Sequence, residues 1–255
     1  MRYQYDGTYI GFLTTVFEIY YRGIASLEDI TKENAEASLF GNDIVVTSTM
    51  EKAERVAQGF EKACGSRAMR WMYRAFLSDE PGMEMKIFTF LYRGFQLKKQ
   101  IYACQREAWV QDILEMCRAV GNEAEKLRGI LRFSELEEGM LFAECAPTHN
   151  VLPILAVHFR ERLSSERWAI YDARRHRAAV YEEGKVSLVW VEKKENPLYS
   201  EREMDFRRLW REYYRHMAIE ERRNPKLRRQ FLPKKYWAYL TEMQDPANRQ
   251  DVKMR

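Results

Sequence analysis

The sequence is poor in cysteine and has none in pairs. Cys64, Cys104, Cys117 and Cys145 are the only four. They lie far apart and form no CxxC, which argues against a disulfide-dense scaffold and for free thiols in a reducing cytoplasm. No early apolar run follows a basic start, so no signal peptide is expected. The most apolar stretch near the N-terminus, YIGFLTTVFEIYY, is shorter than the ~20 apolar residues that span a bilayer. Thr14, Thr15 and Glu18 interrupt it, so it reads as a core helix and no membrane association is expected. Also missing are GxGxxG, a Walker-type glycine loop, HExxH and GxSxG. These absences argue against the common nucleotide-driven and metallopeptidase classes and leave room for an enzyme with an unfamiliar site. No metal and no cofactor is expected. Internal repeats and low-complexity stretches are absent too.

Present instead is enough apolar material for a folded chain: 46% hydrophobic and 13% aromatic residues suffice for a real core in one large domain or two small ones. MRYQYDG alternates and closes on Asp-Gly, a strand and turn. Phe12, Val16, Ile19 and Tyr20 recur at helical spacing until Gly23. DIVVTST reads as a strand. Ala53, Val56, Ala57 and Phe60 mark a helix, and Ser66 can cap the next, which carries Met69, Met72, Tyr73 and Phe76. Ile87, Phe88, Leu91 and Phe95 mark a further helix, and VQDILEMCRAV another that ends near Gly121. LRGILRF, GMLFAEC, RWAIYDA, HRAAVYE and KVSLVWV are β-rich, with EEGK as a hairpin turn. A helix over HNVLPILAVHFRERL lies between the second and third runs, with Asn150 as N-cap and Pro153 in the first turn. A long helix from Ser200 to Glu221 follows, ended by Asn224-Pro225. Phe206, Trp210, Tyr213 and Met217 share one of its sides and Arg208, Arg211, Arg215 and Arg222 another. The expected fold is α+β: a helical N-terminal half, an antiparallel β meander with a packed helix in the middle, and a helical C-terminus. The expected divisions are 1–124, 125–245 and a frayed tail, 246–255, unless the chain is a single compact unit.

Candidate chemistry rests on few residues. His149, before the expected cap Asn150, sits where free backbone N–H groups collect, and can transfer a proton or contact phosphate, or else brace the turn. His158 reads as half-buried and His176 as exposed. Asp172 has the strand parity of Trp168 and Ile170 and therefore needs a partner, for which Arg132 and Arg174 are candidates. His149, Asp172 and Arg132 together form a candidate catalytic cluster, with a structural ion pair as the alternative. Cys145 has no neighbour that would lower its pKa and packs as a small hydrophobe.

The strongest signal is charge. Between Arg202 and Lys235 twelve basic residues meet five acidic ones, a local surplus of seven in a chain whose net charge is +4. The candidate nucleic-acid contacts are Arg207, Arg208, Arg211, Arg215, Arg222, Arg223, Lys226, Arg228, Arg229, Lys234 and Lys235. Guanidinium forks suit phosphate, and such contacts make affinity salt-sensitive. Tyr214, Phe231, Tyr236 and Trp237 either stack on exposed bases or anchor a core.

Six stretches carry a resemblance along most of the chain: YDGTYIGFLTTVFE, RVAQGF, LRGILRFSEL, LFAECAPTHNVLPILAVHFRERL, WAIYDARRHRAAVY and LWREYYRHMAIEERRNPKLRRQFLPKKYWAYLTE. In this order they resemble a bacterial family, built on a domain of unknown function, described as probable DNA metabolism or DNA repair proteins. The resemblance implies a bacterial cytoplasmic protein encoded beside a radical-SAM protein that modifies or repairs DNA. In some relatives a similar domain is joined to a uracil-DNA glycosylase-like domain. The sequence lacks the CxxxCxxC cluster of a radical-SAM enzyme and the usual glycosylase water-activating motif, so the implied role is the companion. The family brings no catalytic residues with it. Three readings stand at this point: a DNA-associated accessory protein, an enzyme acting on DNA as a hydrolase or base-processing activity, and a scaffold for the radical-SAM partner.

Overall fold

The computed structural model describes residues 1–33, 43–192, 197–217 and 224–244. The expected tail 246–255 and the candidate contacts Arg222 and Arg223 lie outside the described residues. The fold is α+β, and the chain divides into two compact units, Met1–Gly121 and Asn122–Arg255.

The first unit begins with β1 (Arg2–Tyr5), whose alternation buries Tyr3 and Tyr5. Thr8 then caps α1 (Tyr9–Arg22), its side chain accepting a hydrogen bond from the Gly11 amide, and Gly23 stops it. β2 (Asp29–Lys32) and β3 (Asp43–Val45) flank β1, both parallel to it. β2 had no distinct signal, because one buried residue, Ile30, in four gives no alternation to read. Around this small sheet pack α2 (Met50–Cys64), α3 (Ser66–Phe76) and α4 (Met83–Leu97) with the first turns of α5 (Ala108–Ile130). The cap of α3 is Gly65, with Ser66 its first helical residue. The core is aromatic: Phe12, Phe60, Phe76 and Phe90 all meet other rings within it.

α5 does not end near Gly121 as expected. Its buried stripe, Val110, Ile113, Met116, Val120, continues at the same spacing through Ala124 and Leu127. A glycine inside a helix costs only about 1 kcal/mol, less than burying two more apolar side chains returns. LRGI is therefore helix, and the strand begins later, as β4 (Phe133–Glu135).

In the second unit, β4, β5 (Leu141–Cys145), β6 (Trp168–Asp172), β7 (Arg177–Glu182) and β8 (Lys185–Trp190) form one mixed sheet in that order. β5 and β6 are parallel because α6 (Leu152–Arg162) crosses between them; β6, β7 and β8 form the antiparallel meander. The β7–β8 hairpin turns through Glu183 and Gly184, both at positive φ (51° and 79°), as a two-residue turn of the primed type requires. β6, central, is buried at every position. The cap of α6 is Val151, which makes no side-chain capping bond, and not Asn150; Pro153 does occupy the first turn. α7 (Glu201–His216) starts at Ser200, whose hydroxyl accepts from the Glu203 amide. Residues 218–221 of the expected long helix lie outside the described residues. Asn224 and Pro225 open a second helix, α8 (Pro225–Phe231), with the Asn224 side chain accepting from the Leu227 amide. A 3-10 segment, Lys234–Tyr239, buries Tyr236 and Trp237. No described helix is long and apolar enough to cross a membrane.

Candidate nucleic-acid interface

α7 has three faces. Its inward side is Glu203, Arg207, Trp210 and Tyr214; Phe206, Tyr213 and Met217, which share a side with Trp210 in the sequence pattern, are exposed. The reason is a set of polar anchors on β4 and the C-terminal segment. The Ser200 hydroxyl donates to the Glu135 carboxylate (2.9 Å), and Glu203 accepts from the Glu135 amide (3.2 Å). Arg207 donates to Glu203 (2.7 Å) and to the Ser134 hydroxyl (2.8 Å), and lies 4.0 Å over the Tyr199 ring. Although burial pulls it down, the bond to Glu203 and the contact with Tyr199 raise the Arg207 pKa above its ordinary value. The Trp210 indole donates to Glu242 (3.1 Å), and Tyr214 packs against the Trp237–Leu240–Met243 cluster.

The second face carries Arg208, Arg211 and Arg215 at spacings of three and four, hence along one stripe of the helix. Arg208 pairs with Asp205 (3.2 Å), both side chains about two-thirds exposed (67% and 69%), a contact worth little in water. Arg215 is exposed and Arg211 partly so. The third face exposes Phe206, Leu209, Tyr213 and Met217. Beyond α7, Lys226, Arg229 and Lys234 are exposed, while Arg228 lies 5.2 Å over the Trp237 ring.

Lys235 is occupied differently. Its ammonium meets Glu123 (2.5 Å) and the Thr148 hydroxyl (2.6 Å). Glu123, buried on the last turns of α5, also accepts from Tyr236 (2.6 Å), the Thr148 amide (2.9 Å) and the His149 amide (2.7 Å). Burial alone would raise the Glu123 carboxyl; the bonds from Lys235, Tyr236 and the two amides overcome it and hold the pKa at about 2. Neither Glu123 nor Glu242 stood out in the sequence, where each is one glutamate among many charged residues.

The catalytic candidates divide among these networks. The His149 backbone belongs to the Glu123 cluster. Asp172 is wholly buried and partnered by Arg175, not by Arg132 or the Arg174 side chain. It accepts from the Arg174 and Arg175 amides (2.9 and 3.2 Å) and the Arg175 guanidinium (3.1 Å). Arg175 also donates to the Pro147 and Thr148 carbonyls (3.2 and 2.7 Å), tying the Asp172 turn to the loop before His149. Burial pushes the Asp172 carboxyl up against the pull of Arg175. Arg132 instead pairs with Glu242 (3.0 Å). Cys145 is buried and its thiol pushed up by burial, with Sγ directed at the Tyr171 carbonyl (3.8 Å), which makes it a packing residue. Of the remaining histidines, His158 packs edge-on against Phe159, His176 meets the Tyr171 hydroxyl (3.0 Å), and His216 meets the Glu212 carbonyl (2.8 Å). Among the described residues, no three His, Cys, Asp or Glu side chains are grouped so as to hold a metal ion.

Of the aromatic candidates, Tyr236 and Trp237 are core and Phe231 is exposed. A cleft of about 270 Å³ opens beside α7, lined by Arg132, Phe133, Glu203, Phe206, Arg207, Trp210 and Thr241.

The model of a family described as a domain of unknown function, DUF4130, matches residues 81–242, well over half of the chain. The chain belongs to the DUF4130 family. The DUF4130 match takes in every candidate catalytic and nucleic-acid-contacting residue and ends at Glu242, the carboxylate that holds both Arg132 and Trp210. No curated protein and no solved structure matches the chain.

Proposed function

We propose that this DUF4130 chain is a DNA-associated, nucleic-acid-binding accessory protein, with the arginine stripe of α7 as its phosphate contact. The observation that carries this reading is the division of labour among the cations. Arg207, Lys235 and Arg132 are tied to buried carboxylates and hold the fold. Arg208 and Arg215, with Lys226, Arg229 and Lys234, are exposed, Arg211 is partly so, and none of the six is shown paired with a buried carboxylate. Counterion release from phosphates would reward such a stripe, and arginine forks suit phosphate oxygens. DNA, and a radical-SAM companion, enter through the resemblance of the sequence to DNA metabolism proteins.

The test is anisotropy of labelled DNA across a salt series. The chain is expected to lose affinity steeply with salt. Arg208→Gln, Arg211→Gln, Arg215→Gln and Arg229→Gln combined should weaken binding and flatten the slope of log K against log salt by about 0.9 for each phosphate that the variant no longer neutralises. Unchanged affinity in the combined variant would refute the proposal.

A second reading, a surface for a protein companion, is favoured by the third face of α7, where Phe206, Leu209, Tyr213 and Met217 stay in water. Co-purification with the radical-SAM protein in nuclease-treated extracts, abolished by Leu209→Glu, would support it; co-purification insensitive to that change would not.

A further inference from the structure

We infer that the cleft beside α7 receives one unstacked base of the bound strand; this rests on the nucleic-acid reading above. Three rings line the cleft, Phe133, Phe206 and Trp210, together with the Arg132 and Arg207 guanidinium groups, Glu203 and Thr241. Its volume of about 270 Å³ lies below the roughly 300–1,000 Å³ of sites for whole drug-sized ligands and cofactors. A cleft of that size holds a single flat ring system.

Charge decides what kind of ring. Both guanidinium groups in the wall are already matched, Arg132 by Glu242 (3.0 Å) and Arg207 by Glu203 (2.7 Å). The interior is therefore close to neutral and does not favour an anion. It still offers polar groups: Thr241 and the guanidinium side chains that line it suit a ring carbonyl or ring nitrogen. The water-facing positive charge lies outside the cleft, on the neighbouring stripe of the same helix, where Arg208 follows Arg207. A neutral, hydrogen-bonding ring inside and phosphates outside is the chemistry of a nucleotide unit in a strand.

The wall is also held in place before anything binds. The Trp210 indole is fixed by Glu242 (3.1 Å), stacks on Tyr213 at 5.8 Å, and carries the Arg132 guanidinium at 5.8 Å. Phe133 packs edge-on against Phe159 at 4.9 Å. Phe206 forms the open rim, 64% exposed, so replacing it removes a ring from the cleft without removing one from the core.

The experiment compares a 15-residue thymidine strand with a strand of the same length made wholly of abasic sites, which keeps the phosphates and removes the rings. The full chain is expected to bind the thymidine strand at least about fivefold more tightly, the effect of one stacked base. Phe206→Ala should erase most of that difference while leaving affinity for the abasic strand within twofold; Trp210→Ala, verified as folded by circular dichroism, should do the same. Equal binding of both strands by the unaltered chain overturns the inference and leaves the phosphate reading standing. Failure to bind either strand removes both. Free thymidine monophosphate competing as well as the strand would assign the cleft to free nucleotides and also overturn it.

Discussion

Glu123→Gln tests whether a single buried carboxylate organises the second unit. The substitution keeps the shape of the side chain and removes its charge. In the native arrangement all four partners donate: Lys235 Nζ, the Tyr236 hydroxyl, and the amides of Thr148 and His149. Glutamine has one acceptor oxygen, so its amide group must face donors that it cannot satisfy. The magnitude follows from the carboxyl pKa, depressed from 4.5 to about 2, which corresponds to roughly 3 kcal/mol of stability at pH 7. Because the folded pKa is the lower one, this stability is full above pH 4.5 and declines as pH falls towards 2; at pH 3 about 2 of the 3 kcal/mol should be gone. The assay is urea unfolding of both proteins at pH 7 and pH 3, followed by circular dichroism. The variant is expected to be about 3 kcal/mol less stable at pH 7 and only about 1 kcal/mol less stable at pH 3. A deficit below 1 kcal/mol at neutral pH, or one that does not shrink with acid, refutes the reasoning.

Lys235→Met removes one of those donors from a position 43% exposed, so it should cost only about 1 kcal/mol and raise the Glu123 carboxyl pKa, readable by NMR titration. Thiol modification at pH 8 should find Cys104 fast in the native protein and the other three slow, because burial pushes Cys64 and Cys117 to about 11 and Cys145 higher still; four fast thiols before unfolding would contradict this. Gly94→Ala would set a methyl 2.5 Å from Phe60 Cε2, a ring with no exposed surface, and should lower stability by about 1–3 kcal/mol in thermal unfolding. Gly59→Ala, whose added carbon meets Phe95 at an ordinary 3.6 Å, should instead be neutral or stabilising by up to about 1 kcal/mol.

Much of the fold was legible because each signal was local. The strand before Asp6, the helix closed by Gly23, the hairpin through Glu183 and Gly184 and the helix start at Ser200 depend on residues within a few positions of one another. The misreadings arose where a local signal was overruled by packing. Gly121 looks like a helix end, yet the apolar stripe runs through it to Leu127. Phe231 reads as an anchor into a core, yet it is exposed, while Tyr236 and Trp237 nearby are buried.

The same division holds for the candidate site. By itself the sequence determined that positive charge gathers near the C-terminus, since charge and its density are properties of a list of residues. It also determined that Asp172, on the buried parity of a strand, would need a partner. Which cation answers Glu123 and which answers Glu242 was decided only by the tertiary structure. Arg132 meets Glu242 across a sequence separation of 110 residues and Lys235 meets Glu123 across 112. An ion pair across such a separation is a contact in space that any of several neighbours could satisfy, and no spacing along the chain encodes it. The packing of β4, α5, α7 and the last 3-10 turn separates cations that hold the protein together from those left facing water.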